Sequence, residues 1–443
     1  MSLQFITGNS GNGKTKYLFN RIVKEAKENP RDNYLVIVPE QFTMQTQRQL
    51  VDLSENKVIM NIDVLSFKRL AYRVFDELGI TNLTVLEETG KNLVLRKLAA
   101  QEADKLGVIG RNLNRIGYIS EVKSLLSELV QYNISPEELG RYIASGRLSD
   151  TLSDKLKDVL VLYEAFEKFM QDKYITAEEI LNVLSNVAEE SAILRNSVIA
   201  FDEFTGFTPI QNQLIKKLFV ISKKIYVTLT IDCREDIFKS RGMQELFDMP
   251  KRTVKSLTEM AAFYGIEVEE PIILDKNYRL AENEELSFME QQLFRKRRCS
   301  FKKAPKHIHI DCLRDPKQEL TKIARRINEL VRNENLRYRD IAIVTGDVNI
   351  YAGYVREIFD KYNIPYFIDA TQEILFHPFI EFIRSIPDIA AQNFSADAVF
   401  RFLRCGFSEL LDSEIDVLEN YVLACGVRGK KRMGQKVGQA AKA

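Results

Sequence analysis

Apolar positions in the first eighty residues switch between two periods. Leu3–Thr7 is a short apolar run, a glycine-rich segment follows, and Lys14–Lys27 then repeats its apolar residues at helical spacing. Tyr34–Val38 is a second apolar run ending at Pro39, Asp63–Ser66 is a third, and the amphipathic Phe67–Leu78 predicts the next helix. Short apolar runs alternating with helices predict an α/β fold whose parallel sheet is covered on both faces. From about Glu87 to Glu190 only the helical period persists, most clearly in Ile119–Tyr132 and Leu156–Asp172, which predicts a helical insertion. Strands return at Ser197–Phe201 and Lys224–Ile231. A second α/β unit is expected from His307, with strands at Ile341–Thr345 and Pro365–Ile368. After about Thr371 the pattern is helical again up to Val427, and the basic, small-residue stretch Gly426–Ala443 reads as the end of a fragment.

The length of 443 residues fits about three packed units. With 45% hydrophobic and 28% charged residues, neither a disordered chain nor a membrane protein fits. No run approaches the roughly 20 apolar residues of a transmembrane helix, and the N-terminus lacks the pattern of a signal peptide. With 63 Lys+Arg against 62 Asp+Glu, a globally basic nucleic-acid coat is excluded, but a local basic groove is not. The cysteines at 233, 299, 312, 405 and 425 are odd in number and widely spaced, as expected of reduced thiols in a cytoplasmic protein. Cys299, His307, His309 and Cys312 are zinc-ligand types. However, the segment His307–Cys312 alternates like a half-buried strand, with both histidines on one face and Cys312 on the other, so a strand is the better reading.

The strongest local signal is Gly8, Asn9, Ser10, Gly11, Asn12, Gly13, Lys14 and Thr15, a GxxxxGK[ST] pattern between an expected strand and an expected helix. Glycines let the backbone wrap closely around phosphate oxygens with its N–H groups inward, and the helix start adds a positive dipole end. Lys14 would reach the β- and γ-phosphates of ATP or GTP, and the Thr15 hydroxyl would bind Mg²⁺. A partner carboxylate is expected after an apolar strand, and Val198–Phe201 ends in Asp202 and Glu203. Asp202 is expected to hold Mg²⁺ and Glu203 to orient the attacking water. Taken alone, these acids would equally suit a solvated turn.

Several segments resemble superfamily-one helicases of the UvrD and RecB kind. Asp202-Glu203-Phe204 is similar to their magnesium motif, and Asn277-Tyr278-Arg279 to a motif whose arginine reaches the γ-phosphate. Tyr338–Val344 and Tyr362–Tyr366 resemble the opening of their second motor domain. The closer resemblance is to the AddB family, the B-type subunits of ATP-dependent helicase/deoxyribonucleases. It rests on Val38–Thr43, Val64–Ala71, Phe201–Pro209, Glu419–Tyr421 and Arg428–Arg432, in that order, from Leu3 to about Arg432. The resemblance implies a P-loop NTPase fold of RecA-like parallel sheets with helical insertions. The first RecA-like domain would comprise 1–86 and 191–293, with an insertion at 87–190. A second RecA-like domain would begin at 294–370, and a second insertion at 371–443.

It also implies a heterodimer with an AddA-like motor subunit that processes DNA ends and scans single-stranded DNA for Chi. An iron–sulfur nuclease domain, carrying a [4Fe-4S] cluster, is expected in the C-terminal region of the parent protein. Active motors of this class carry a GDxxQ stretch, yet Tyr226–Asp232 has neither that glycine nor that glutamine, and Thr345-Gly346-Asp347 replaces an arginine. The adenine-reading glutamine upstream of the phosphate loop also has no room before Gly8. ATP binding is therefore expected with coupling to movement impaired. An autonomous UvrD-like helicase and a P-loop kinase are the competing readings. The missing glutamine opposes the first, and the second motor-like segment opposes the other.

Loops after the strands at Val38 and Leu65 would lie at the carboxyl edge of the sheet, where ligands bind in open α/β folds. Gln41, Thr43, Ser66 and Phe67 are thus candidates to contact single-stranded DNA. Phe67 is either a ring that stacks on a base or the first core residue of its helix. The basic run 294–306 either tracks phosphates or is a solvated linker.

Overall fold

A computed structural model describes residues 1–81, 84–108, 110, 116–146, 148–171, 174–295, 299–369 and 374–434 of the chain. Its strands are β1 (Ser2–Gly8), β2 (Tyr34–Ile37), β3 (Ile62–Leu65), β4 (Val85–Leu86), β5 (Ile175–Thr176), β6 (Val198–Phe201), β7 (Lys224–Thr230), β8 (Glu267–Val268) and β9 (Ile272–Leu274). Seven of them form one sheet in the order β3-β2-β6-β7-β1-β8, with β9 also paired to β1, and every pairing is parallel. The expected α/β fold is present, and its five longer strands match the apolar runs.

The period-2 pattern divides each strand between two cores. Leu3, Phe5, Leu35, Ile37, Ile199, Phe201, Ile225 and Val227 face one side. Ile6, Tyr34, Val36, Val198, Ala200 and Tyr226 face the other. Helices α1 (Lys14–Glu28) and α2 (Thr43–Leu53) cover the second face through Leu18, Phe19, Ile22 and Leu50. Helix α3 (Phe67–Leu78) contributes Leu70 and Val74 to the first.

The predicted insertion is built from α4 (Glu88–Gln101), α5 (Ile116–Gln131), α6 (Pro136–Ala144) and α7 (Asp150–Met170), which share a separate core. The strands β4 and β5, not foreseen, pair in parallel where the chain enters and leaves this layer. Helix α8 (Ile180–Val187) buries Ile180 and Leu184 in the core of the sheet, not in that of the insertion. Asp172, the expected end of the long helix, lies outside the described residues. Helices α9 (Pro209–Ile221) and α10 (Asp248–Phe263) join α3 on the first face, and α11 (Glu284–Gln292) follows β9.

The chain divides into two units, Met1–His309 and Ile310–Ala443. The second corrects the expectation of another parallel sheet. Among its described residues there are helices only: α12 (Pro316–Asn333), α13 (Val348–Lys361), α14 (Pro378–Ala391), α15 (Ala396–Leu403), α16 (Asp412–Ala424) and α17 (Lys430–Met433). Ile341–Thr345 and Pro365–Ile368 form no ladder, and Val344 and Phe367 are 93% and 88% exposed. His307–Cys312 is likewise unpaired. An apolar run becomes a parallel strand only beside a neighbour that takes up its N–H and C=O groups, and none of the described residues supplies one. The helical expectation from Thr371 to Val427 is met by α14 to α16, while the short α17 lies beyond it, in the stretch read as the end of a fragment. Residues 371–373 and 435–443 lie outside the described residues. No helix among the described residues is long and apolar enough to cross a membrane.

Candidate functional site

Strand register gathers the loops. Gly8 pairs with Thr230 and Leu274, while Phe201 pairs with Ile37 and Val227, and Ile37 with Leu65. The segments starting at Asn9, Val38, Ser66, Asp202, Ile231 and Asp275 therefore all leave the same carboxyl edge. A cleft of about 650 Å³ opens there, lined by Ser10, Gly11, Lys14, Thr15, Asp202, Glu203 and Arg279 among others.

The loop between β1 and α1 depends on close approach. A Cβ on Gly8 would lie 2.6 Å from the Leu274 carbonyl oxygen. At Gly11, where φ is +89°, it would lie 2.7 Å from Asn277 Oδ1. Asn277 Nδ2 donates to the Ser10 carbonyl (3.0 Å), the Tyr278 amide to that of Gly11 (3.0 Å), and Arg279 to Ser10 Oγ (3.3 Å). The phosphate-loop pattern and the Asn277–Arg279 motif, about 265 residues apart, thus form one structure. Asn12 is buried and donates to the Leu274 carbonyl.

Helix α1 starts at Gly13 without a side-chain cap, so its first N–H groups have no capping acceptor from a side chain. Lys14 Nζ instead bonds the carbonyls of Gly8 (3.1 Å) and Asn9 (3.0 Å). Burial pulls its ammonium below the usual lysine range, against the attraction of Asp202 and Glu203, and Arg279 adds to the lowering. The loop side of the hollow is thus cationic and rich in N–H donors, and it faces the carboxylates of Asp202 and Glu203.

On the other side of the hollow, Asp202 is 1% exposed and accepts a hydrogen bond from Thr228, while its Oδ2 has no partner. Burial pushes this carboxyl above its ordinary value of 3.8. The Thr228 bond opposes the shift, and the charge of Glu203 adds to it. The folded state therefore holds the proton more tightly than the unfolded chain. Stability falls as pH rises from about 3.8 through the raised folded value. Asp202→Asn is accordingly expected to raise the urea midpoint at pH 7 and to flatten this decline. An unchanged or lower midpoint would contradict the burial argument.

Glu203 is exposed, stands at φ +64° and accepts from Thr15 Oγ1 at 3.4 Å. A left-handed non-glycine residue beside a buried acid is the kind of strain found at functional sites. Asp202 and Thr15 face one hollow with an unsatisfied carboxylate oxygen. That fits magnesium, which takes one or two protein ligands and fills the remainder with phosphates and water.

The DNA candidates are placed less uniformly. Gln41 is exposed, but Thr43 and Ser66 are buried, and Ser66 caps α3 through the Arg69 amide and donates to Glu40. Phe67 is 7% exposed, with its ring against Phe201, Phe204 and Phe207 at centroid distances of 5.8, 5.5 and 6.3 Å. It has no free face for a base, so the core reading replaces the stacking reading. Where it is described, the basic run is tied down in part. Arg295 pairs with the buried Asp232 (2.6 Å), Lys303 with Glu284, and the Lys306 and His307 amides donate to Glu285. Residues 296–298 lie outside the described residues.

Sequence reasoning missed Thr228, Asp232 and Glu290. Thr228 had a usable signal. It is a threonine within an apolar strand, one step past the Phe201–Val227 pair and hence beside Asp202. Asp232 is held by Arg234 and Arg295. Although burial works against it, these bonds bring its carboxyl down to about 2.

Comparison with known proteins gives a consistent picture. A family model described as "ADDB, N-terminal" matches residues 5–290. The chain is 39% identical over 437 residues to the B-type subunit of the ATP-dependent helicase/deoxyribonuclease of Lachnoclostridium phytofermentans, covering 98% of this chain and 38% of that protein. It is 34% identical to the protein of the same name from Clostridium tetani (98% and 38%) and 35% to that from Clostridium acetobutylicum (98% and 37%). The chain thus spans less than two-fifths of the length of these relatives.

Proposed function

Since this chain belongs to the AddB family through its N-terminal region, we propose that it is the nucleotide-binding, DNA-contacting part of the AddB subunit in a heterodimeric ATP-dependent helicase/deoxyribonuclease that processes DNA ends. The observation that carries the reading is the convergence of Lys14, Thr15, Asp202, Glu203 and Arg279 on one cleft at the carboxyl edge of a parallel sheet. Lys14 and Arg279 would neutralise the phosphates of ATP, and the glycine-rich backbone would donate to them. Thr15 and Asp202 would hold Mg²⁺, which when bound supplies charge neutralisation at the phosphates. Glu203 would orient water.

Residues 1–86 and 191–293 would form the first RecA-like domain of a P-loop NTPase, with 87–190 as its insertion. Residues 371–443 would open a second insertion, while no second parallel sheet is proposed for 294–370, whose described residues hold no strand. Coupling of hydrolysis to movement is proposed to be lost, because Asp232 is committed to Arg234 and Arg295 and no glutamine stands where active motors carry one. An AddA-like partner would then supply movement, while this chain scans single-stranded DNA for Chi in the cytoplasm. The residues present do not fit an iron–sulfur cluster. Among the described residues no three metal-ligating side chains of the His, Cys, Asp or Glu type come together, so no nuclease step is assigned here.

The purified chain is expected to bind Mg-ATP and single-stranded DNA yet fail to unwind a duplex. ATP-driven unwinding by the chain alone, in a strand-displacement assay, would overturn the impaired-motor reading.

A further inference from the structure

Helix α11 buries no residue fully, and its docking combines a ring contact between Phe288 and Phe301 (centroids 5.3 Å apart) with several polar links. Three of its carboxylates point to two different places. Glu290 Oε1 accepts from Asn9 Nδ2 at 2.5 Å, on the phosphate loop. Glu284 and Glu285 hold the basic segment through Lys303 and the amides of Lys306 and His307 (2.5–2.8 Å). The Gln291 carbonyl accepts from Arg234, which with Arg295 grips Asp232 just past β7.

Asn9 is the joint. It is 5% exposed, and its Oδ1 accepts from the Cys233 amide at 3.0 Å. A backbone N–H can only donate, so the amide orientation is fixed and Nδ2 must face an acceptor, which is Glu290. The carbonyl of the same residue also holds Lys14 Nζ at 3.0 Å. An incoming phosphate competes for that ammonium and so changes the load on Asn9. An element without fully buried residues adjusts to such a change at small cost.

We infer that Glu290 is a positioning residue for the nucleotide site, and that through it α11 carries the state of the phosphate loop to the basic segment 299–306. This rests on the nucleotide-binding reading above. The bond between Asn9 and Glu290 sets the loop mouth, and loop occupancy in turn alters the docking of α11.

The test uses the 443-residue chain with Mg-ADP as probe, titrated calorimetrically, with hydrogen–deuterium exchange followed at residues 284–292. Wild type is expected to show an exchange change there on adding Mg-ADP. Glu290→Ala should bind about tenfold more weakly, the size of one lost charged hydrogen bond, and lose that change. Glu290→Gln keeps an acceptor for Asn9 and should stay within about threefold of wild type with the response intact. Equal losses in both variants would overturn the inference. So would a lower urea midpoint in Glu290→Ala with unaltered Mg-ADP affinity, the mark of a merely structural contact. Failure of wild type to bind Mg-ADP is a distinguishable result, which removes the nucleotide-site reading itself and the coupling with it.

Discussion

Lys14→Ala is expected to weaken Mg-ATP binding by a hundredfold or more, enough to abolish it in an ordinary titration. The ammonium now rests on two backbone carbonyls of its own loop, in surroundings that lower its proton affinity by burial. A phosphate would be a far better partner than those carbonyls. Removing the lysine leaves bound phosphate charge unpaired in a half-closed cleft, a loss of about 3 kcal/mol or more. The fold itself should not suffer. A lysine whose folded proton affinity is depressed costs stability below its folded value, so its removal is neutral or mildly stabilising near pH 7. Calorimetry with Mg-ATP and a urea melt separate the two effects. Binding within about threefold of wild type would leave the loop without its proposed ligand. If an AddA-like partner supplies the movement, the same variant assembled in the heterodimer should still unwind DNA.

Phe67→Ala should cost about 3–5 kcal/mol of folding stability, a typical loss for a large aromatic truncated in a core. The ring fills the space between α3 and the turn after β6, against three other phenylalanines. Per folded molecule, affinity for an oligo(dT) strand should change by less than about threefold. A variant of normal urea midpoint that lost tenfold or more in DNA affinity would restore the stacking role, which is worth roughly 1–3 kcal/mol per base.

The first unit was readable because its signals are local. Apolar runs such as Tyr34–Val38 sit between helices of clear period, and the glycine pattern is contained within eight residues. Asp202 and Glu203 could be found because a strand that ends in acids is also local. What escaped depends on distance along the chain. The bond from Asn9 to Glu290 joins residues 281 apart, and nothing in the sequence sets Glu290 apart from an ordinary surface residue. Arg295 looked like one charge in a basic run, although its carboxylate partner lies 63 residues earlier. The runs Ile341–Thr345 and Pro365–Ile368 had strand composition, but composition cannot provide the neighbouring edge that a ladder requires. Phe67 shows the same limit in reverse. A ring at the start of a helix beside a loop reads alike whether it meets a base or, as here, Phe204 and Phe207.

The position of β1 in the sheet also bears on how the protein is made. It pairs with β7, whose register partner for Ser2 is Lys224, and then with β8 and β9. Its neighbours therefore leave the ribosome about 220 residues later or more, a delay of roughly 10–40 s at ordinary elongation rates. Throughout that interval Leu3, Phe5 and Ile6, which end fully buried, have no sheet to join. Pairing at such separation is slow to close and leaves apolar edges open to wrong partners. Nascent chains of this protein should accordingly need shelter by chaperones until residue 274 has emerged.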